Sequence, residues 1–431
     1  MLLLYAVHRK ERTMKKSRLI AVILAAVLLI GCFAGCVENK DNPVIMTAGN
    51  FQMTEFDFML AFTQDEYFNY YLYGAMDYTE YFQRILDIAT QRACALNYAK
   101  KNKIELSESE LADIEAQLEE TMTQLDAEYL AKVDESITDE NKRLEEAERL
   151  FTQDIGYTKE NYREYVRSSM INSAVIQKLR DMVGEDIDLT EDDISRYITD
   201  AALKLKNTTS FTDFLETYGG FVKGENTVPY LVHEDCFTVD QLLIKADDGE
   251  MYEIAAIVDE LLNEGFTEDD FYEWIADYGQ DENMKTDRFI DWGYIVHDSL
   301  EPGYPKGFVY AAKNLIKPTK PGFGAEAPEL TKFTSSDGKT VIKFESDDGI
   351  HYLILNKVFK RGIISYEQGD DIWNIAYAEA YKIAIDNAFD AKCEEWVEKT
   401  KVTYYYKKFR DKYEVPATTY LNRFNNGDDE Q

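Results

Sequence analysis

Two cysteines near the N-terminus, Cys32 and Cys36, stand in a setting that points to a specific chemistry. Each follows a small residue, in the segments Leu29-Ile-Gly-Cys32 and Phe33-Ala-Gly-Cys36. Both segments fit a bacterial lipobox, where a signal peptidase cuts before a cysteine whose thiol already carries a diacylglycerol. Cys32 is the preferred lipidation site because leucine occupies the third position before it, and Cys36 is the alternative. The processed chain is therefore predicted to begin on a lipid.

The residues before these cysteines have the layout of an export signal. A short basic stretch begins at Met14, which we take as the true start, and 12 apolar residues follow at 19–30. We therefore assign residues 1–31 to a signal peptide and residues 32–43 to a lipidated tether. The alternative is an uncleaved membrane anchor over 19–37, which barely reaches the roughly 20 residues that a spanning helix needs.

The other cysteines and the histidines are scattered without the spacing of a metal site or a redox motif. They are Cys94, Cys236, Cys393, His8, His233, His297 and His351. The sequence therefore predicts no metal and no cofactor. Cys94 and Cys393 both fall in helical patterns, which favours buried free thiols, and a disulfide between them is the alternative.

Length and charge restrict the class of protein further. The chain has 431 residues and 45% hydrophobic residues, which favours two or three folded domains. Its 81 acidic and 47 basic residues give a net charge of −34, which would repel a nucleic-acid backbone. Removing residues 1–31 takes away six basic residues and one acidic residue, leaving −39. This charge is expected to keep the folded body away from an anionic membrane surface.

The first half of the folded chain has helical patterns after an initial strand and turn at 44–51. Apolar residues recur at helical spacing and the opposite positions are acidic or amide residues, so 54–203 is predicted to be mostly helical. Helix starts are indicated by capping-box sequences. They are Thr54-Glu-Phe-Asp57, Ser107-Glu-Ser-Glu110 and Thr190-Glu-Asp-Asp193.

Aromatic residues are unusually dense within 67–82, which contains six tyrosines and two phenylalanines. The simpler interpretation is packing between helices. The alternative is a surface on which amphipathic rings contact unfolded segments of other proteins without requiring one sequence.

The pattern changes from Phe237 onward and indicates a compact α+β unit. Alternating and β-branched residues predict a strand at 237–244 and strands at 341–344 and 351–358, while 250–263 and 267–278 have helical spacing. A long helix is then predicted within 371–400, and the polar end, 425–431, is predicted to be disordered.

Several segments of this unit resemble the parvulin family of peptidyl-prolyl isomerases, and residues 44–410 as a whole resemble extracytoplasmic foldases of the PrsA and SurA kind. The matching segments are Gln241-Leu-Leu-Ile244, Phe271-Tyr-Glu-Trp-Ile-Ala-Asp-Tyr278, Asp291-Trp-Gly-Tyr294, Phe308 with Ala311-Ala312, and Gly349-Ile-His-Tyr-Leu-Ile354. The resemblance implies an α+β fold, in which a parvulin-like domain with a small antiparallel sheet is inserted into a mostly helical chaperone domain.

The same resemblance implies the domain bounds. Residues 44–235 correspond to the N-terminal chaperone domain and 236–360 to the parvulin-like domain. Residues 361–431 correspond to a C-terminal helix that returns to the chaperone domain, followed by a disordered tail.

The resemblance also implies a set of site residues. His351, Gln241 and Asp281 would form the polar floor, with glutamine at the position where the family has its first histidine. Phe308 and Leu300 are the candidates for an apolar slot that holds a proline ring, with Tyr294 or Trp292 at its wall. An alternative for His351 is a structural role, in which it locks neighbouring polar groups by hydrogen bonding.

Three functions follow as hypotheses. The first is a lipid-anchored foldase on the extracytoplasmic face of the cell membrane, which isomerises X-Pro bonds in unfolded or exported proteins and in proline-containing peptides. The second is a chaperone whose parvulin-like domain binds extended peptide without catalysis. The third is a solute-binding lipoprotein, which would require repeated βα units and a parallel sheet. The resemblance leaves both a monomer and a homodimer open.

Overall fold

The computed structural model describes residues 42–405 except 226, 247–248, 298–299, 301–302 and 321–326. The predicted signal peptide, both candidate lipidation cysteines and the polar C-terminal end therefore lie outside the described residues. Within them the chain has an α+β fold with small antiparallel sheets, as predicted. No helix among the described residues is long and apolar enough to cross a membrane.

The elements are numbered here in chain order. The helices are α1 (Glu55–Gln64), α2 (Phe68–Leu72), α3 (Tyr78–Lys101), α4 (Glu108–Ala131), α5 (Glu140–Ile155), α6 (Lys159–Glu185), α7 (Glu191–Leu205), α8 (Phe211–Val222), α9 (Met251–Glu264), α10 (Glu268–Tyr278), α11 (Asp287–Trp292), α12 (Phe308–Ile316) and α13 (Asp371–Lys399). The strands are β1 (Val44–Ala48), β2 (Phe51–Thr54), β3 (Leu231–Val232), β4 (Cys236–Lys245), β5 (Tyr294–Val296), β6 (Thr331–Thr334), β7 (Thr340–Ser346), β8 (Gly349–Phe359), β9 (Gly362–Ile363) and β10 (Val402–Tyr404).

The chain divides into two compact units. Unit 1 combines residues 1–187 with 384–431, and unit 2 is the continuous stretch 188–383. Unit 2 thus contains the whole predicted parvulin-like segment, 236–360, together with α7, α8 and the first part of α13. Whether the segments named from the sequence act as separate functional domains stays a prediction.

Unit 1 is mostly helical, with one small sheet in the order β10-β1-β2. The predicted capping boxes are confirmed at the starts of α1 and α4 in unit 1 and of α7 in unit 2, where Thr54, Ser107 and Thr190 each accept from the third backbone amide of the helix. In unit 1, α4, α5 and α6 bury a shared core that includes Leu118 and Phe151. These helices form because each presents one apolar face to its neighbours.

The aromatic stretch of unit 1 serves packing for the most part. Phe68, Tyr71 and Tyr81 are buried, and the rings of Tyr71 and Tyr81 stack with their centroids 5.1 Å apart. Tyr70 and Tyr73 differ, because they are 57% and 74% exposed. Both interpretations of the stretch therefore keep some support.

The C-terminal part of α13 belongs to the same core. The Trp396 ring stacks on Tyr98 of α3 at 4.6 Å between centroids, and Cys94 and Cys393 are both buried free thiols in this cluster. Burial raises the pKa of Cys393 to about 12 and also raises the pKa of Cys94. The expected pair of buried free thiols is present in unit 1.

Unit 2 contains a five-stranded antiparallel sheet in the order β5-β4-β8-β7-β6. Because side chains alternate along each strand, the sheet separates two cores. One core lies with α7 to α11 and contains Leu242, Tyr352 and Trp292. The other lies under α12 and contains Phe308 and Leu353. No parallel strand pair occurs among the described residues, so the repeated βα units of the third hypothesis are not formed there.

The predicted strands around the turn at Asp347-Asp348-Gly349 form the hairpin of β7 and β8. Gly349 has a φ of +141°, and a Cβ there would lie 2.0 Å from the carbonyl oxygen of Ile244 in β4. This close approach lets β8 pair with β4 through Lys245 and Gly349. An L-residue would strain the backbone and also collide with the neighbouring strand.

Gly349→Ala is therefore expected to lower the free energy of unfolding of unit 2 by about 1–3 kcal/mol or more. The measurement is chemical denaturation followed by tryptophan fluorescence in a Trp396→Phe background, where the remaining tryptophans, Trp274, Trp292 and Trp373, all lie in unit 2. Gly338→Ala is the matched control, because Gly338 has a φ of +88° but no atom within 4 Å of the added Cβ. Equal losses of unfolding free energy in the two variants would show that the contact between the added Cβ and the Ile244 carbonyl does not contribute.

Candidate active site

The face of the unit 2 sheet that lies under α12 positions the polar residues singled out from the sequence. Gln241 of β4 and His351 of β8 are diagonal neighbours, since Leu243 is the residue paired with His351. Asp281 follows α10 in a loop that is fixed to β4, because the Gln280 amide donates to the Leu243 carbonyl at 2.8 Å. Three separate segments thus bring these side chains together.

The side chains form one continuous hydrogen-bonded chain. Gln241 Nε2 donates to Asp281 Oδ2 at 2.5 Å, and Gln241 Oε1 lies 3.1 Å from His351 Nδ1. On the far side of the imidazole, His351 Nε2 lies 2.8 Å from Ser346 Oγ. Tyr294 completes the network by donating its hydroxyl to Asp281 Oδ2 at 2.6 Å.

The donor and acceptor groups fix the direction of each hydrogen bond in this network. The Asp281 carboxylate offers only acceptors, so Gln241 turns its amide N–H₂ toward Asp281 and its oxygen toward His351. This assigns the proton of the neutral imidazole to Nδ1 and makes Nε2 the acceptor of the Ser346 hydroxyl. Asp281 also accepts the Asn283 amide at 3.0 Å. Along this network, each hydrogen bond is therefore donated in the direction of the Asp281 carboxylate.

Burial controls the protonation of this network. His351 is fully buried, and desolvation lowers its pKa to about 4, against weaker opposing effects of Asp348 and Asp281. Burial and the hydrogen bond to Asp281 both raise the pKa of Tyr294. The imidazole is thus neutral and Tyr294 keeps its proton at neutral pH.

This low pKa of His351 predicts a pH dependence of stability. The unfolded chain takes up a proton near the ordinary pKa of 6.5, whereas the folded chain does so only near 4. Stability is therefore fully present above pH 6.5 and falls as the pH drops toward 4, by about 3 kcal/mol. The difference in unfolding free energy between the parent chain and His351→Gln is therefore expected to fall as the pH drops over this range, as measured by denaturation of unit 2. A difference that does not change with pH would contradict the assignment.

An aromatic cluster lies beside the polar chain. Phe344 stacks on the imidazole of His351 with 4.5 Å between centroids, and Phe308 meets the same ring edge-on at 6.3 Å. Tyr304 stacks on Phe308 at 4.7 Å, and its hydroxyl donates to the Ile295 carbonyl at 2.6 Å. Phe308 is only 1% exposed. The apolar surface next to the network is thus covered by Tyr304.

The structure brings together some of the residues singled out from the sequence and separates others. His351, Gln241, Asp281, Tyr294 and Phe308 converge. Trp292 and Leu300 do not join them, because both pack with the other core of unit 2.

The position of Trp292 has a specific cause. Its ring packs edge-on against Phe221 at 5.2 Å and stacks over Phe359 at 6.3 Å, with the Lys357 ammonium 3.8 Å from its centre. These contacts hold Trp292 in the core that contains α8, so it does not form a wall beside Phe308.

Sequence reasoning did not identify Tyr304, Ser346 or Asn283. Ser346 precedes the turn at Asp347-Asp348-Gly349, five residues before His351, and this spacing in a tight hairpin was the available signal. Tyr304 lies in an irregular segment and Asn283 begins a 3-10 helix of three residues, Asn283–Lys285, so no periodicity indicates which core either side chain enters.

The described residues contain no group of three or more histidine, cysteine or carboxylate side chains that is placed to hold a metal ion. The converged residues are suited to binding and orienting a polar group next to an apolar surface. They include no cysteine, serine or lysine nucleophile paired with a base, apart from Ser346 and the buried His351, which the network already uses.

Comparisons with known proteins give limited information. No family model matches this chain, and no curated protein matches it. A solved structure that resembles it is the foldase protein PrsA from Lactococcus lactis, with 12% sequence identity, coverage of 88% of this chain and 99% of that chain, and a TM-score of 0.22. A score this low does not establish a shared fold, so the α+β assignment depends on the elements described above.

Proposed function

We propose that this protein is an extracytoplasmic foldase that binds unfolded segments of exported proteins and catalyses rotation about their X-Pro bonds. The observation that carries the proposal is the convergence of His351, Gln241, Asp281 and Tyr294 beside Phe308 on one face of the unit 2 sheet. The predicted acylation of Cys32, or of Cys36, would hold the protein at the outer face of the cell membrane. A homodimer stays open.

The reaction requires no covalent step. Rotation about an X-Pro bond crosses a barrier of about 18–20 kcal/mol and takes tens of seconds or more without catalysis. A site accelerates it by binding the twisted imide better than either planar isomer. Here Phe308 would contact the proline ring, and the Asp281, Gln241 and Tyr294 groups would supply fixed dipoles near the imide. His351 acts as a neutral positioning residue, because both of its nitrogens are already engaged.

A second function, peptide binding without catalysis, is favoured by one specific observation. Tyr304 covers Phe308, and each member of the polar chain named above already has its partners within the protein. In this arrangement extended segments would contact exposed surface such as Tyr70 and Tyr73 instead.

Two assays on the processed full chain separate these functions. The first measures cis–trans exchange of an Ala-Pro peptide by NMR, and the second measures suppression of aggregation of a reduced, unfolded client protein by light scattering. Faster exchange supports the isomerase. Aggregation suppression with an unchanged exchange rate supports the non-catalytic chaperone, and absence of both effects removes the foldase proposal.

The stacking of Tyr304 on Phe308 gives a further prediction. A proline ring that reaches Phe308 must displace the Tyr304 ring and break its hydrogen bond, each of which contributes about 0.5–1.5 kcal/mol. Tyr304→Ala is therefore expected to raise kcat/KM for the proline peptide about tenfold. Tyr304→Phe keeps the ring and should give a smaller rise. A lower rate in Tyr304→Ala, with an unchanged circular dichroism spectrum, would show that Tyr304 is part of the site instead.

A further inference from the structure

A groove in unit 1 lies between helices α1 and α6. It contains about 300 Å³ of space, part of it open to solvent. One stripe of each helix lines it, at helical spacing. The lining residues are Phe56, Leu60 and Gln64 of α1 and Val166, Ser169, Met170 and Ser173 of α6. The four apolar members are buried. This volume is at the small end of the range for ligand sites and suits one side chain rather than a long ligand.

Two serine hydroxyls in the α6 wall have hydrogen atoms that no described protein group accepts. Ser169 is only 4% exposed, and its hydroxyl makes no hydrogen bond with another described residue. Ser173, one turn later, accepts from Arg92 Nη2 at 2.7 Å and donates to no described residue. Hydroxyls in buried positions normally have a partner, so these two donors suit an acceptor that enters the groove.

Arg92, in helix α3, places a positive charge next to the same wall. Its guanidinium forms no ion pair with a carboxylate of the described residues. Burial lowers the pKa of Arg92, and the opposing effect of Asp57 is smaller. The Asp57 carboxylate is engaged at the start of α1, where it accepts from the Thr54 hydroxyl at 2.8 Å. An anion bound at Ser173 would therefore supply a counterion that Arg92 lacks.

We propose that this groove binds the free C-terminal carboxylate of an unfolded protein segment whose last side chain is apolar. The carboxylate accepts from the Ser169 and Ser173 hydroxyls beside Arg92, and the last side chain lies against the apolar lining. This inference rests on the proposed function, because it names the part of an unfolded segment that unit 1 recognises.

Gln64, at the exposed end of the α1 stripe, favours a peptide over a free fatty acid. Its side-chain amide makes no hydrogen bond with another described residue, and an amide can both donate and accept. A peptide unit that precedes the terminal residue needs both kinds of partner, whereas an alkyl chain needs neither. The polar side of the groove is thus matched to a polypeptide terminus.

The test is isothermal titration calorimetry on the processed full chain at neutral pH. The probes are acetyl-Ala-Ala-Leu with a free C-terminus, the same peptide with a C-terminal amide, and hexanoate. The free acid is expected to bind about tenfold more tightly than the amide, because charge-assisted hydrogen bonds are the stronger ones. Hexanoate is expected to bind more weakly than the free acid. Equal affinities for acid and amide, hexanoate binding as tightly as the acid, or no binding of the acid would overturn the proposal.

Variants of the groove make the result specific. Ser169→Ala and Arg92→Gln should each lower the affinity for the free acid about tenfold and change the affinity for the amide little. Ser169→Ala also keeps the helix intact, since alanine has the higher helix propensity. The matched controls are Ser168→Ala and Arg167→Gln, because both residues are exposed on α6. Full affinity in Ser169→Ala, or an equal loss in its control, would contradict the site.

The peptide probes contain no proline, so their binding is measured independently of the isomerase rate. A chain that accelerates exchange or suppresses aggregation, but does not distinguish the acid from the amide, would remove this site and leave the proposed function in place. A chain that binds the acid as expected, but has neither foldase effect, would keep the carboxylate site and remove the proposed function.

Discussion

Replacing Phe308 with alanine is expected to lower kcat/KM for a proline-containing peptide about a hundredfold, which corresponds to about 2.7 kcal/mol of lost transition-state binding. Phe308 supplies the apolar surface beside the His351 imidazole, where a proline ring would lie. Without this ring, no apolar surface beside the hydrogen-bonded side chains of Gln241 and Asp281 would hold the proline of the twisted imide. The rate is measured by NMR exchange on the processed full chain.

Phe308 is buried, so its replacement also destabilises the fold, by about 3–5 kcal/mol. Phe271→Ala provides the matched control, because Phe271 is fully buried in the other core of unit 2. Both variants should lose similar stability, and only Phe308→Ala should lose the isomerase rate. Equal rates in the two variants, measured well below their unfolding transitions, would remove Phe308 from the site.

The largest expected effect of pH on stability comes from Asp240, which neighbours Gln241 but faces the opposite core. It is fully buried, and its Oδ2 accepts from the Tyr272 hydroxyl at 2.6 Å and from Asn356 Nδ2 at 2.8 Å. Its Oδ1 has no hydrogen-bond partner among the described residues. Burial raises the pKa of Asp240 to about 7, although these two hydrogen bonds oppose the shift.

Between pH 4 and pH 7 the folded chain therefore keeps a proton on Asp240 that the unfolded chain has released. Stability is fully present below the unfolded pKa and falls as the pH rises through 7, by about 4 kcal/mol in total. Asp240→Asn removes this loss, so the variant should be more stable than the parent chain at pH 8 and similar to it at pH 4. Denaturation in the Trp396→Phe background measures the difference.

Asp277→Asn serves as the control for Asp240→Asn. Asp277 lies on the exposed side of α10, and its replacement should leave the pH profile of unit 2 unchanged. A stability difference between Asp240→Asn and the parent chain that stays the same from pH 4 to pH 8 would contradict the raised pKa of Asp240. Because His351 acts in the opposite direction between pH 4 and 6.5, the two contributions largely cancel in the parent chain, and only the difference between each variant and the parent chain isolates one group.

Much of the fold was predictable from local features. Thr54, Ser107 and Thr190 cap helices because a short side chain that accepts a hydrogen bond is followed by an acid three residues later, and this requires no tertiary information. The strands around Gly349 were likewise indicated by the turn sequence. Strand β6, in contrast, is not among the predicted strands, because four residues at a sheet edge carry too little periodicity to be recognised.

The site was predictable only in part. The convergence of His351, Gln241 and Asp281 followed from the family resemblance, since their side chains come from segments up to 110 residues apart. The sequence left Tyr294 and Trp292 as alternatives for the wall of the slot, since both lie in the segment Asp291-Trp-Gly-Tyr294 that resembles the family. In the structure, the alternation of side chains across the sheet sends Tyr294 toward Asp281, while Trp292 packs with Phe221. Only tertiary packing distinguishes the two faces.

The pairing of β1 with β10 also sets the order in which this protein matures. During synthesis, residues 188–383 emerge complete before residues 384–404, so unit 2 has all of its chain while unit 1 still lacks an edge strand and Trp396. Contacts between such distant residues close slowly. A newly made molecule therefore passes through an interval in which its own N-terminal apolar surfaces are uncovered.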